Sequence, residues 1–429
     1  MQRRTKLIGA AIVAATMIGI TACSGSGGGG GSTTAKGPIK IWYSNNEQEV
    51  AWGKATVASW NKTHPDQKVT GQEIPAGKTS EEVISASITA GNSPCLIYNT
   101  APSAVGQWVK QGGMVDLSKF SDGAQYIEAR SGAQADQYQG SDGDYYQLPW
   151  KSNPVMIFYN KDLFEKAGLD PNDPKLSTYA DFLATAKTLV DKGVAPNAIL
   201  PAPTSEFFQM SFDFYPLYAA ESGGKQLVSK SGKSTFADAA GYDVANFWRT
   251  LYADKLAGQE AYQGDAFADG KAAMAIVGPW AVSVYKDVNW GAVPVPTKDG
   301  IPASKTYTFS DAKNIGMFSA CKNQGTAWDF LKYSTSKAQD QKFLETTGQM
   351  PMRTNLATTF ADYFAAHPSY QLFGDQASRT VEVPGGANTV AEMQAFRDNW
   401  SNSVIFGKGD VKASLDAAAK KIDQLAADK

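Results

Sequence analysis

The sequence predicts an open α/β fold built on more than one hydrophobic core. The first observation is a repeated unit of apolar strand, polar turn and helix. Residues 39–43 read as a strand, followed by the polar cluster Ser44-Asn45-Asn46-Glu47 and a helix over 50–61 with Val50, Trp52, Val57 and Trp60 inward. The unit recurs as strand 69–74 with helix 81–90, and as strand 95–98 with helix 105–110. In such sheets ligands sit at the carboxyl ends of strands. The second observation is length: 429 residues exceed what one core holds. The third is the stretch 148–170, LPWKSNPVMIFYNKDLFEKAGLD. A polar segment, Trp150-Lys151-Ser152-Asn153-Pro154, precedes a buried-strand run (Val155 to Tyr159) and a helix. Asn160 or Asp162 can cap that helix and Gly168 can end it. The polar segment reads as a connector crossing a cleft between two lobes.

Composition narrows the function classes. Apolar residues make up 43% and charged residues 19%, a globular balance, and the formal net charge is −2. No Arg/Lys run marks a nucleic-acid surface. Eighteen Tyr, 20 Phe and 10 Trp are more aromatic mass than packing alone needs, so some rings are candidates for a ligand platform.

The first residues read as a targeting segment. Arg3, Arg4 and Lys6 precede an apolar run, Leu7 to Ile20, that is too short to span a bilayer. Ile20-Thr21-Ala22-Cys23 resembles the lipobox of bacterial lipoproteins, which makes Cys23 the expected lipidated N-terminus; the plainer alternative is a secretory peptide with Cys23 incidental. The glycine-rich SGSGGGGGSTTAKG that follows reads as a flexible tether. Two cysteines remain, Cys95 and Cys321, and outside the cell they can pair.

Further along, residues 116–147 are polar and without a clean period. Thr178 caps a helix whose apolar residues Tyr179, Phe182, Leu183, Ala186, Leu189 and Val190 fall at helical spacing up to Gly193. The aromatic segment 205–220 and residues 242–256 read as helices, and 272–277 as a strand closed by Gly278-Pro279-Trp280. Strand-like stretches at 290–296 and 314–319 precede helices at 327–333 and 338–344, and 410–427 forms a terminal helix.

No catalytic or metal-binding signature stands out. His64 and His367 each precede a proline in polar loop sequence, without partners for a triad or a metal. No nucleophile elbow, zinc-protease helix, phosphate-binding loop or dinucleotide fingerprint occurs in a suitable context. What the strand ends do carry is amides, a carboxylate and aromatics: Asn46, Glu47, Asn99, Trp150, Asn153 and Trp280. Ring faces flanked by short polar groups suit a sugar, whose C–H face stacks while its hydroxyls need donors and acceptors. Each has a plainer reading as well: core packing for the tryptophans, backbone capping for Asn99 and Asn153. Lys151 reads as solvated, and Phe207, Phe208, Phe212, Phe214 and Tyr215 as mostly packing with one residue at the cleft.

At this point the motifs can be matched to a family. AGNSPCLIYNT (90–100), YYQLPWKSNPVMIFYNKDLFEKAGLDP (145–171), STYADFLATAKTLV (177–190), FADGKAAMAIVGPWAV (267–282), WGAVPVP (290–296), GQMPMR (348–353) and FGKGDVKASLDAAAKKID (406–423) span nearly the whole chain beyond the tether. The sequence resembles the extracellular solute-binding proteins of bacterial carbohydrate ABC importers, the group related to maltose-binding protein; Cys95 stands where that family usually has aspartate. The resemblance implies a two-lobed periplasmic-binding-protein-like α/β fold of type II. Residues 1–22 would be the signal peptide and 23–37 the lipidated cysteine and tether. Residues 38–150 with 316–350 would form the N-lobe, 155–312 with 353–429 the C-lobe, and 151–154, 313–315 and 351–352 the crossovers. Strand 95–99 would lie antiparallel to 315–321, bringing Cys95 and Cys321 together as a disulfide away from the cleft. The resemblance further implies that Asn46, Glu47, Asn99, Trp150, Asn153 and Trp280 line the cleft, with the turn at Gly385 and Gly386 adding backbone contacts. No cofactor, metal or nucleic acid is expected. The expected partners are a carbohydrate (a di- or oligosaccharide), the permease subunits and, through Cys23, the outer face of the cytoplasmic membrane, for a monomeric chain. A polyamine or glycerol-phosphate ligand remains an alternative within the class, and a lipid-anchored glycoside hydrolase or esterase or a structural lipoprotein outside it.

Overall fold

A computed structural model describes residues 31–427 apart from 45, 78, 230 and 384; the targeting segment and Cys23 lie outside the described residues. Twelve strands are present among them: β1 (Ile39–Tyr43), β2 (Val69–Glu73), β3 (Leu96–Thr100), β4 (Gln147–Ser152), β5 (Met156–Asn160), β6 (Asn197–Ile199), β7 (Ala272–Val277), β8 (Trp290–Val293), β9 (Thr308–Phe309), β10 (Lys313–Met317), β11 (Met350–Pro351) and β12 (Thr380–Val381). They form a six-stranded sheet in the order β11-β4-β10-β3-β1-β2, a four-stranded sheet in the order β6-β7-β5-β8, and a pair β12-β9.

Each large sheet is covered on both faces, so its central strands are apolar throughout and alternate between two cores. In β3, Leu96 and Tyr98 join the core of Ile41, Trp52, Trp150 and Phe343, while Ile97 packs with Ile84, Trp108 and Phe318 on the other side. In β5, Ile157 and Tyr159 face the large core of Phe182, Tyr218, Trp248 and Phe396. Met156 and Phe158 face Tyr285, Phe360 and Phe373. Two sheets with separate cores, joined through the β4–β5 connection, give the two-lobed type II binding-protein fold.

Local signals account for the element ends. Asn160 Oδ1 accepts from Leu163 N (3.1 Å) at the start of the helix Lys161–Ala167, and Gly168 closes it at φ 81°. Thr178 Oγ1 accepts from Asp181 N (3.0 Å) to open the helix Tyr179–Asp191. Three stretches differ from the sequence reading. Residues 116–147 contain a helix, Gly123–Ser131, whose inward residues are Ile127, Arg130 and Ser131, a set too polar to give an apolar period. The aromatic segment splits into a 3-10 turn, Phe207–Phe212, and a helix, Phe214–Glu221. The break falls at Asp213, whose buried carboxylate accepts from Phe214 N and pairs with Arg397 (both 2.6 Å). Between Met352 and Asp410, where the sequence reading assigns no element, Ala361–Ala366, Pro368–Gln376 and Thr389–Trp400 are helical.

The chain passes between the sheets side by side with itself. Ser152 and Ser310 hydroxyls meet at 2.8 Å, Asn153 N donates to Ser310 O (2.6 Å), and Val155 N donates to Phe309 O (3.2 Å). On the other edge of β4, Met352 N donates to Trp150 O (2.8 Å). The buried Arg130 guanidinium holds these passages together, donating to the carbonyls of Pro149, Trp150 and Met352 while paired with Asp340 (2.8 Å). β3 and β10 pair antiparallel, with Leu96 opposite Met317, and Cys95 and Cys321 form a disulfide just beyond that pairing.

Candidate functional site

One wall is the first turn of the helix Glu47–Thr63, at the carboxyl end of β1. Asn46 caps it: its Oδ1 accepts from Glu49 N (3.0 Å) and its own N–H donates to Ser44 Oγ (2.9 Å). Asn46 and Glu47 are both exposed. The facing wall carries Trp280, half-buried, beyond the end of β7. Its ring folds back over residue 278, where a Cβ would lie 2.0 Å from Trp280 Cζ3, so any larger residue there would displace the ring. Phe212 supports the ring edge-to-face at 6.2 Å. Ser283, one turn beyond Trp280, reaches Gln48 Oε1 with its hydroxyl at 3.4 Å, so the two walls touch. Gly385 and Gly386 lie against Gly106 of the helix Pro102–Lys110, a second contact from lobe to lobe.

Strain gathers at the strand ends between these walls. Asn99, the penultimate residue of β3, has φ 65°, and Asp311, entering β10, has φ 34°. Positive φ in non-glycine residues costs about 1–3 kcal/mol each and persists where the surroundings enforce it. Asp311 pairs with Lys313 (2.9 Å). Burial alone would pull the Lys313 ammonium down, but the charge and hydrogen bond of Asp311 outweigh it and hold it above the usual lysine range. Glu382 lies beneath, accepting from Val383 N (2.8 Å) and Ala312 N (3.2 Å); burial pushes its carboxyl up to about 8 against those bonds and the Lys313 charge.

Between the first turn of the helix Glu47–Thr63 and the passages between the sheets lies a polar cluster that the sequence reading missed. Lys151 is buried, not solvated: its ammonium pairs with Glu49 Oε1 and donates to Gln349 Oε1 (2.9 Å). Gln349 Nε2 donates to Glu49 Oε1 (2.7 Å) and Asn153 Nδ2 donates to Gln349 Oε1 (3.0 Å). Burial pulls the Lys151 ammonium down, and Glu49 opposes that. The one sequence signal for Glu49 was its spacing three residues after Asn46, which reads as a capping box. Here that carboxylate turns inward instead.

Trp150 is 1% exposed and enclosed by Trp52, Tyr98 and Phe343 at 4.8–5.5 Å between ring centres. It packs as a core residue, with the Lys151 ammonium 5.0 Å from its ring centre and its indole Nε1 buried without a hydrogen-bond partner among the described residues. His64 stacks on Trp60 and His367 lies beside Tyr363, both away from these walls. Among the described residues no group of His, Cys, Asp and Glu is arranged to hold a metal, and no helix is long and apolar enough to cross a membrane.

A paired-lobe fold with an aromatic-and-amide cleft defines a solute-binding protein. Residues 55–371 match the family model described as bacterial extracellular solute-binding protein, and the chain belongs to that family. It is 26% identical over 388 residues to the diacetylchitobiose-binding protein of Streptomyces coelicolor, covering 85% of each chain. It is 26% identical over 432 residues to the galactooligosaccharide-binding protein of Bacillus subtilis, covering 95% and 94%. The crystal structure of the cyclic α-maltosyl-1,6-maltose binding protein of Arthrobacter globiformis superposes with a TM-score of 0.79 at 20% identity, covering 92% of this chain and all of that one.

Proposed function

We propose that the protein captures a carbohydrate, a di- or oligosaccharide, between its lobes and delivers it to the permease of an ABC importer. The observation that carries this reading is Trp280: a half-buried ring, braced edge-on by Phe212, one turn before Ser283, whose hydroxyl meets Gln48 of the opposite lobe. A pyranose stacks on such a ring while its hydroxyls bond to the amides and carboxylates around it. Asn46, Glu47, Asn99 and Asn153 supply those groups, and the Gly385-Gly386 turn adds backbone. The relatives named for chitobiose and galactooligosaccharides support a sugar over a polyamine or phosphate ester. The lobes correspond to 38–150 with 316–350 and 155–312 with 353–429, hinged where the passages cross.

The ligand acts by population shift: contacts to both lobes exist only in the closed form, so its preference for that form sets the change. The closed form is what the permease recognises, and no covalent chemistry is involved. Lipidation at Cys23 holds the monomer at the outer face of the cytoplasmic membrane. The test is a thermal-shift scan of the chain lacking residues 1–23 against mono-, di- and oligosaccharides, amino sugars and polyamines. A rise of several degrees for one linkage class supports the reading through binding linkage. Stabilisation by polyamines alone, or by nothing, overturns it.

A further inference from the structure

We propose that Glu49 is a ligand-recognising carboxylate, which with Asn153 forms a subsite at the cleft floor for adjacent hydroxyls of a neutral sugar ring. This rests on the carbohydrate reading above and adds to it the kind of ring the floor accepts.

Glu49 is 3% and Asn153 2% exposed, yet each keeps a buried oxygen that accepts no hydrogen bond among the described residues: Glu49 Oε2 and Asn153 Oδ1. Their other polar atoms are engaged through Gln349, which takes Asn153 Nδ2 on its Oε1 and gives its amide to Glu49 Oε1. The two idle acceptors are thus the two ends of one fixed chain, Glu49–Gln349–Asn153. A buried acceptor left unbonded loses its hydration without replacement and is costly. Two in one cluster mark a place where a donor arrives from outside the chain.

The chemistry of the cluster selects that donor. Lys151 neutralises Glu49, so the floor offers no net charge to a polyamine or an ammonium. The idle oxygens of Glu49 and Asn153 need protons that a phosphate dianion does not bring, which disfavours phosphate. A lysine ammonium carries three N–H groups and an amide two, and Lys151 and Asn153 spend only two and one of theirs. Hydroxyls both donate and accept, so neighbouring hydroxyls can give protons to Glu49 Oε2 and Asn153 Oδ1 while accepting the spare N–H groups. Location agrees: Glu49 lies one residue from Gln48, which touches the opposite lobe, and Asn153 lies on the passage between lobes. Lys151 and Gln349 are positioning residues that hold the acceptors in place.

The test uses calorimetry with maltotriose, galactobiose and diacetylchitobiose on the wild-type chain lacking residues 1–23 and on the Glu49→Gln and Asn153→Ala variants. Asn153→Ala leaves the Glu49–Lys151 pair intact, so it remains informative if Glu49→Gln fails to fold. For the sugar that binds, each variant is expected to lose tenfold or more in affinity. Monodeoxy analogues of that sugar should include one that loses affinity against wild type but little further against the variant. Wild-type affinity in a folded Asn153→Ala variant, with no deoxy analogue coupled to it, overturns the subsite and leaves the carbohydrate reading standing. Failure of every sugar to bind the wild type overturns both.

Discussion

Gly106 and Gly385 meet across the two lobes so closely that a Cβ at residue 106 would stand 2.4 Å from the Gly385 carbonyl oxygen. The helix Pro102–Lys110 can therefore close onto that turn only because residue 106 has no side chain. Together with the Ser283–Gln48 contact, this fixes how near the lobes come.

The Gly106→Ala variant tests that fit. Alanine favours a helix interior by about 1 kcal/mol over glycine, so the empty open form should keep or gain stability. The closed form has to yield around a backbone clash, and ligand affinity should fall at least tenfold without any ligand contact being removed. Calorimetry paired with small-angle scattering checks this: a ligand-saturated variant should remain more extended than wild type. Unchanged affinity would mean that the closed lobes sit elsewhere.

Trp280→Ala should weaken sugar binding tenfold or more, about 1.4 kcal/mol. Because the ring is half-buried and braced by Phe212, the empty protein should lose much less stability than the complex. Trp280→Phe should recover part of the affinity. A collapse of the empty protein's melting temperature with little change in affinity would make Trp280 a packing residue.

Stability should fall as pH rises through the neutral range. Burial pushes Glu392 up to about 7 and Glu382 up to about 8, both well above the ordinary 4.5. Between those values the folded chain holds protons that the unfolded chain has released, so the stabilisation is full below about 4.5 and lost as pH passes 8. Glu392 lines an apolar interior site with Met210, Phe236 and Phe396, and Glu392→Gln should change little at pH 5 and raise the melting temperature at pH 8.5. Equal effects at both pH values would show that its ionisation is unshifted.

Breaking the Cys95–Cys321 bond, by Cys95→Ser with Cys321→Ser, should cost about 2–4 kcal/mol. Denaturant unfolding of the variant should match that of the reduced wild type. Labelling of both thiols in the folded, unreduced protein would contradict the bond.

The sequence discloses the fold far better than the buried polar cluster. Asn160, Gly168 and Thr178 announce their helix ends because capping is a contact between near neighbours. Strand and helix identities follow from apolar runs of the right length. The Glu49–Lys151–Gln349 cluster is illegible because its members lie 102 and 300 residues apart, and each has an ordinary local explanation. Lys151, within a polar segment, looks like a solvated residue until β4 is seen to be covered on both faces. Trp150 misleads the opposite way: its polar neighbours suggest a cleft, yet the strand buries it among Trp52, Tyr98 and Phe343. The pairing of the two cysteines came through family likeness, since their count alone fixes no partners.

The bond between Cys95 and Cys321 also makes most of the molecule a covalent ring, since the two residues are 226 apart in sequence. The ring contains β3 through β10, and with them the chain's first departure into the second lobe and its return. A single nick within it, even in the middle of that lobe, parts the backbone without releasing a fragment. Such a molecule runs as one species on a denaturing gel until reductant is added, and then as two. For a member of an extracellular family, damage of this kind severs the chain but not the assembly.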